Sequence, residues 1–230
     1  MKIPFNRPLL AGREFTFIRD AIRRNHLAGD GYYTQACAQW LEKNTGVARV
    51  LLTSSCTHAL ELAYLLLDIR PGDRVIVPSY TFPSTVNAFV LRGGVPRFVD
   101  IRADTLNMDE TLLEEGLHAR VRAISPVHYA GVPCAMSVIT AFARRHRLMV
   151  IEDAAQALGA TYRERSAGSF GALNAVSFHE TKNYSCGEGG ALLITEKRHV
   201  ERAEILRQKG TNRAKFLRGD VDKYSWVDMG

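Results

Sequence analysis

The chain has 230 residues, 46% of them hydrophobic and 23% charged, enough to close a sizeable core, which excludes a disordered tail or a disulfide miniprotein. Thirty basic residues against twenty-four acidic ones leave a net charge of +6, a surplus that suits anionic small molecules and is too small to indicate nucleic acid. The four cysteines (37, 56, 134 and 186) lack CxxC spacing, Met1 to Phe5 do not open a charged-then-apolar leader, and the longest apolar run, Ala63 to Leu67, is far below the ~20 residues that span a bilayer. No structural zinc, secretion or membrane contact is expected, and the chain reads as cytoplasmic.

An extended start containing Pro4 and Pro8 leads into Glu14 to Arg24, where Phe15, Ile18, Ala21 and Ile22 repeat at helical spacing. The Gly29-Asp30-Gly31 turn is expected to end that helix. A second helix follows from Thr34 through Leu41, and Ser54-Ser55-Cys56-Thr57 caps a third with Leu60, Ala63, Tyr64 and Leu67 on its apolar face. Seven short β-branched runs then mark strands: Val50 to Leu52, Arg74 to Val77, Val95 to Val99, Val121 to Val127, Met149 to Ile151, Ala175 to Phe178 and Ala191 to Ile194. Helices between them are read at Pro83 to Leu91, Asp109 to His118 and Met136 to His146, while the last two strands are joined by a loop. This alternation predicts an α/β fold with a mostly parallel seven-stranded sheet covered on both faces. No linker or repeat divides residues 1–230, and residues 211–230 show large aromatics but no closing helix.

Ligands of open parallel sheets sit at the carboxyl ends of the strands, so the polar residues after each apolar run are the first candidates. Thr53-Ser54-Ser55-Cys56-Thr57 offers free backbone N–H groups and a helix dipole to a phosphate, although on its own the segment reads first as a hydroxyl helix cap. Glu152 and Asp153 close a strand expected to be buried, where an uncompensated charge costs several kcal/mol, so one of them needs a cationic partner. They point to opposite faces, so only one can face a given pocket; an Asp cap is the plainer alternative. Lys182 precedes the glycine-bearing run Gly187 to Gly190 and is a candidate for Schiff-base chemistry, although a lone lysine is more often a solvated charge. A phosphate cradle, an acid and a lysine at strand ends are together the parts a pyridoxal phosphate enzyme needs. Phe82 could then stack on the ring, or simply pack in the core.

With Gly29-Asp30-Gly31, Thr53 to Thr57, Pro78 to Phe82, Glu152 to Gln156 and Ser177 to Asn183 in this order, nearly the whole chain resembles the sugar aminotransferases of the DegT/DnrJ/EryC1/StrS group, which are fold-type I pyridoxal phosphate enzymes. The stretches Leu51 to Thr57, His128 to Gly131, His179 to Tyr184 and Lys209 to Arg213 are similar to members that move an amino group from glutamate to C4 of a dTDP-linked 4-keto-6-deoxy sugar for surface polysaccharide. The resemblance implies that Lys182 forms the imine and moves the proton between the amino acid Cα and cofactor C4′, and that Asp153 partners the pyridinium nitrogen. It implies further that Gln156 lies against the ring or its 3′-oxygen, that Ser177 and the Cys56 and Thr57 amides bind the phosphate, and that Phe82 is the stacking ring. It gives His179 no role.

By the same resemblance, residues 1–230 correspond to a cofactor-binding large domain without the smaller C-terminal domain, and members form homodimers with the active site at the interface. A catalytically idle, cofactor-binding remnant is therefore the alternative to an enzyme. A related dehydratase carries histidine in place of the lysine, which Lys182 argues against, and a nicotinamide-binding domain would need a GxGxxG after the first strand, which is absent. The basic run Arg213, Lys215 and Arg218 could approach a nucleotide diphosphate or be a solvated loop.

Overall fold

The computed structural model describes residues 2–4, 6–7 and 9–230, so Met1, Phe5 and Pro8 of the expected extended start lie outside the described residues. Seven strands form one sheet: β1 (Arg49–Thr53), β2 (Arg74–Pro78), β3 (Val95–Val99), β4 (Val121–Ile124), β5 (Met149–Asp153), β8 (Leu173–Ser177) and β9 (Gly190–Ile194), in the order β1-β9-β8-β5-β4-β2-β3. Every neighbouring pair is parallel except those made by β9, which runs against both β1 and β8. The expected mostly parallel sheet is therefore present, and its one reversed strand follows from the loop, rather than helix, that joins β8 to β9. Two strands absent from the sequence reading, β6 (Thr161–Tyr162) and β7 (Arg165–Ser166), make a separate hairpin. Its turn residues Arg163 and Glu164 have φ of 48° and 65°. Neither residue type advertises that conformation, which is why the hairpin escapes pattern reading.

Strand alternation divides the core into two faces. Val75, Val77, Ile151, Leu192 and Ile194 pack with α3 (Cys56–Leu66), α4 (Ser84–Val90) and α7 (Val200–Arg207). On the opposite face, Val50, Val176, Ala191 and Leu193 pack with α2 (Tyr32–Thr45), and Ile76, Ile124 and Val150 with α5 (Leu113–Gly116) and α6 (Met136–His146). α3 is apolar nearly all round because it is wedged between the sheet and its neighbours, with Leu60, Ala63 and Tyr64 fully buried.

Several expected boundaries move. α1 spans Glu14–Arg23 and ends well before the Gly29-Asp30-Gly31 turn, with Asn25 at φ 55°. The helix expected at Asp109 to His118 is a short 3-10 turn over Glu110–Leu112 followed by α5. β4 stops at Ile124 because Pro126 has no N–H for the ladder, although its carbonyl accepts from Asp153. Residues 211–230 do contain a helix, α8 (Arg213–Arg218), and α7 precedes it. Both are short, and their apolar spacing is interrupted by charge, since α8 buries no residue completely.

Candidate functional site

The carboxyl ends of β1, β2, β4, β5 and β8 and the start of β9 share one edge of the sheet, and a cavity of about 420 Å³ opens there. Its lining includes Cys56, Thr57, Phe82, Asp153, Gln156, Ser177 and Lys182, so the structure brings all seven sequence-identified residues together.

Asp153 is 4% exposed and stands at the floor of this cavity. It follows Ile151 on the α3 face, while Glu152 follows Val150 onto the other, as the two-residue period of a strand requires. Its Oδ2 accepts the Thr85 hydroxyl at 2.7 Å and its Oδ1 accepts the Ala155 N–H at 3.1 Å. Burial pushes the carboxyl above its ordinary range, and the Thr85 and Ala155 donors and the nearby Lys182 pull it back only in part. Among the described residues no cation forms an ion pair with it. The site thus holds a buried acid that gains most from a positively charged donor entering the cavity.

Glu152 is satisfied quite differently. Its carboxylate accepts the amides of Gly168 (2.9 Å), Phe170 (2.6 Å) and Gly171 (2.6 Å), and His128 Nε2 at 2.8 Å. His128 Nδ1 accepts the Cys134 N–H at 3.1 Å, which assigns the neutral Nε2–H tautomer. The cationic partner sought for one of the two acids is therefore not required by Glu152, whose charge is spread over four donors. Glu152→Gln, which replaces an acceptor by a donor facing those amides, is expected to destabilise the fold by about 3 kcal/mol, measured as a drop in denaturant midpoint at unchanged slope.

At the opposite end of the cavity Ser55 caps α3, its hydroxyl accepting the His58 N–H at 3.1 Å. The Cys56 and Thr57 amides remain without acceptors among the described residues and lie at the helix's positive end. Ser55 is thus the helix cap that was one reading of this segment, and the next two N–H groups have no acceptor among the described residues. Thr57 Oγ1 meets Ser84 Oγ at 2.7 Å, and Ser177 Oγ accepts the His179 N–H at 3.2 Å, leaving its own proton available. Gly190 makes the arrangement possible, since a Cβ there would lie 2.3 Å from the Cys56 nitrogen. Gly190→Ala must displace the start of α3, and a stability loss of about 1–3 kcal/mol is expected from melting curves.

Lys182 lies on the β8–β9 connection, where its N–H bonds to the His179 carbonyl at 2.9 Å. Its amine forms no hydrogen bond or ion pair among the described residues, unlike a surface lysine recruited into a charge pair. His179 Nδ1 lies 2.9 Å from Thr181 Oγ1 and its Nε2 lies 3.5 Å from Glu188, so the imidazole ties this loop together beside the lysine. Gln156 Oε1 holds the Ala130 N–H at 2.6 Å. Phe82 stands at the mouth, 71% exposed, beside Tyr129, whose hydroxyl lies 2.9 Å from that of Tyr80. The sequence reading gave no site role to Ser84, Thr85 or Val127, and quoted Tyr129, Thr181 and Glu188 only within longer stretches. Ser84 and Thr85 were findable, being polar residues in the first turn of a helix that begins at the ligand-bearing edge.

The basic run is not a solvated loop and does not line this cavity. It forms α8, where Lys215 pairs with Glu201 (2.6 Å) and Arg218 with Glu204 (2.8 Å) and Asp220 (3.0 Å), while Arg213 approaches Asp30 at 4.0 Å. The acids of α7 and Asp220 hold these cations, so they dock a helix.

Residues 9–224 match the sequence model of the DegT/DnrJ/EryC1/StrS aminotransferase family. The chain belongs to this family. It is 36% identical over 216 residues to the spore coat polysaccharide biosynthesis protein SpsC of Bacillus subtilis, an alignment covering 94% of this chain and 55% of that one. Among solved structures, an aminotransferase from Psychrobacter cryohalolentis superimposes with a TM-score of 0.91 at 30% identity, covering 99% of this chain and 59% of the other. The PLP form of a putative sugar aminotransferase from Streptococcus pneumoniae gives 0.87 at 28% identity, covering 100% and 62%. The chain thus spans a little over half the length of the relatives it matches. DegT/DnrJ/EryC1/StrS aminotransferases depend on pyridoxal phosphate, and this chain has their α/β architecture of a mostly parallel seven-stranded sheet between helices.

Proposed function

We propose that this DegT/DnrJ/EryC1/StrS chain is the cofactor-binding large domain of a sugar aminotransferase, binding pyridoxal phosphate in the 420 Å³ cavity and moving an amino group from glutamate to a nucleotide-linked keto sugar. The observation that carries this reading is the pairing of a lysine with a buried acid, neither of which forms an ion pair among the described residues, in a cavity whose far end presents two amides without acceptors among those residues. These groups fit an elongated ligand with an aldehyde, a basic ring nitrogen and a phosphate. When bound, the cofactor supplies an electron sink for the carbon that loses a proton.

The chain's own residues divide the remaining work. The Cys56 and Thr57 amides and the Thr57 and Ser177 hydroxyls hold the phosphate, and the dipole of α3 adds to their attraction. Asp153 would keep a proton on the ring nitrogen, and its fixed charge, buried at the cavity, would need no solvent rearrangement, which would make it an effective electrostatic device. Lys182 would hold the cofactor through its aldehyde carbon, the aldehyde oxygen leaving as water, and its amine, once freed, would be the base at the donor's Cα. Phe82 would cover one face of the ring and Gln156 would lie at its edge.

The finer assignment is transfer to C4 of dTDP-4-keto-6-deoxyglucose, giving dTDP-4-amino-4,6-dideoxygalactose for surface polysaccharide such as enterobacterial common antigen or lipopolysaccharide, in a cytoplasmic homodimer with its active site at the interface. It is supported by the motif similarity already quoted, and SpsC's role in spore coat polysaccharide is of the same general kind. The test is formation of 2-oxoglutarate from glutamate in the presence of that sugar nucleotide and cofactor. Production with a 3-keto isomer but not the 4-keto sugar would overturn the finer assignment, and cofactor binding without turnover on any keto sugar would favour a binding remnant.

A further inference from the structure

Asp153 does not meet its cavity alone. Thr81 Oγ1 lies 2.7 Å from Thr85 Oγ1, and Thr85 Oγ1 lies 2.7 Å from Asp153 Oδ2. An ionised carboxylate only accepts, so Thr85 must spend its one proton on Asp153. It is then left as the acceptor for Thr81, which fixes the direction of the whole chain: Thr81 O–H to Thr85, and Thr85 O–H to Asp153. Thr85 is completely buried. The preceding residue, Ser84, bonds Thr57 at the phosphate end. Consecutive residues of the first turn of α4 thereby reach both ends of the cavity, and Phe82, just before them, covers its mouth.

We infer that Thr85 is a positioning residue that holds Asp153 ionised and oriented for the ring nitrogen, with Thr81 as the second member of a directed hydroxyl relay. The inference rests on the proposed pyridoxal phosphate site and adds to it a determinant of the ring's protonation outside the groups that touch the ligand. The reasoning is electrostatic. Burial disfavours the Asp153 anion, and the Thr85 hydroxyl is the leading side-chain donor opposing that penalty. The other groups acting on this carboxylate are Ala155 N–H, His128 from beyond β4 and Lys182 from beyond β8. The Cys56 thiol and Tyr64 hydroxyl of α3 also feel its charge, but burial raises the pKa of both and keeps them neutral. None of them replaces a hydrogen bond to Oδ2.

Thr85→Val preserves shape and removes the proton. Asp153 should then favour its neutral form, and the ring nitrogen should lose its proton. The nearby lysine-linked nitrogen, relieved of a positive neighbour, should hold its own proton to higher pH. The experiment is a spectrophotometric pH titration of the chain with bound pyridoxal phosphate, together with a cofactor affinity measurement, for the wild type and for Thr85→Val, Thr85→Ser and Thr81→Val. Expected are an upward shift of the absorbance midpoint and roughly tenfold weaker cofactor binding in Thr85→Val, restoration in Thr85→Ser, and a smaller shift of the same sign in Thr81→Val. A packing role alone would lower thermal stability without moving the midpoint. An unmoved midpoint and unchanged affinity in Thr85→Val overturn the inference; should that variant not fold, an unmoved midpoint in Thr81→Val overturns the relay. A wild-type chain that gives no cofactor band at all overturns the site itself, a different and recognisable failure.

Discussion

Lys182→Ala is expected to abolish the visible absorbance of lysine-linked cofactor and to lower turnover by at least about a thousandfold, consistent with loss of both a covalent nucleophile and a proton-transfer base. The chain should still fold, because the Lys182 side chain makes no hydrogen bond or ion pair among the described residues and the loop is held instead by the backbone bonds of Phe178 to Gly189, Glu180 to Gly187 and Lys182 to His179. Far-ultraviolet circular dichroism and the melting temperature should therefore match the wild type. Cofactor should still bind, through the α3 amides and Asp153, but reversibly, so that it is lost on desalting. Retention of the band in the variant would show that another amine makes the link and would remove Lys182 from the mechanism.

Asp153→Asn is the second large effect, and it separates stability from function. In the cofactor-free chain the raised pKa of Asp153 means that its folded state prefers the protonated form more than the unfolded chain does. For such a group stability is greatest below its unfolded pKa and declines as pH rises toward the folded value, because the anion must then be carried in a buried site. The neutral amide escapes that decline, so the cofactor-free variant is expected to match or exceed the wild type in melting temperature at neutral pH. With cofactor the order reverses, since the amide cannot hold a proton on the ring nitrogen. Turnover should fall by about a hundredfold or more, the scale of losing one preorganised electrostatic contact. Melting curves with and without cofactor would decide it, and a variant destabilised equally in both states would show that the acid has only a structural task.

The sequence carried much of this because the site sits where two strong periodicities meet. All seven sheet strands were legible from β-branched runs, and α6 was bounded at the same two residues, Met136 and His146. The cavity residues followed because they lie at or within a few residues of the ends of such runs, in motifs the family shares. What escaped had weaker local signals. The β6–β7 hairpin turns on Arg163 and Glu164 in the left-handed region, a conformation tertiary contacts impose. α7 and α8 are held by ion pairs with each other, with neighbouring Asp220 and with the distant Arg49 and Asp30, so part of their stability resides in partners far along the chain. The same holds for the relay under Asp153: nothing local says that Thr85 lies beneath a carboxylate 68 positions later.

The reversal of β9 has a consequence for how the two reactive groups can be tuned. Asp153 is bolted to a central strand, and any change in its posture would have to be transmitted to β4 and β8 through the ladder. Lys182 hangs on an arch whose two feet are adjacent antiparallel strands, joined at Ser177 and Gly190. Insertions or exchanges along that arch can re-aim the amine while the acid stays fixed, so the geometry of the reacting end is adjustable independently of the electronics of the ring.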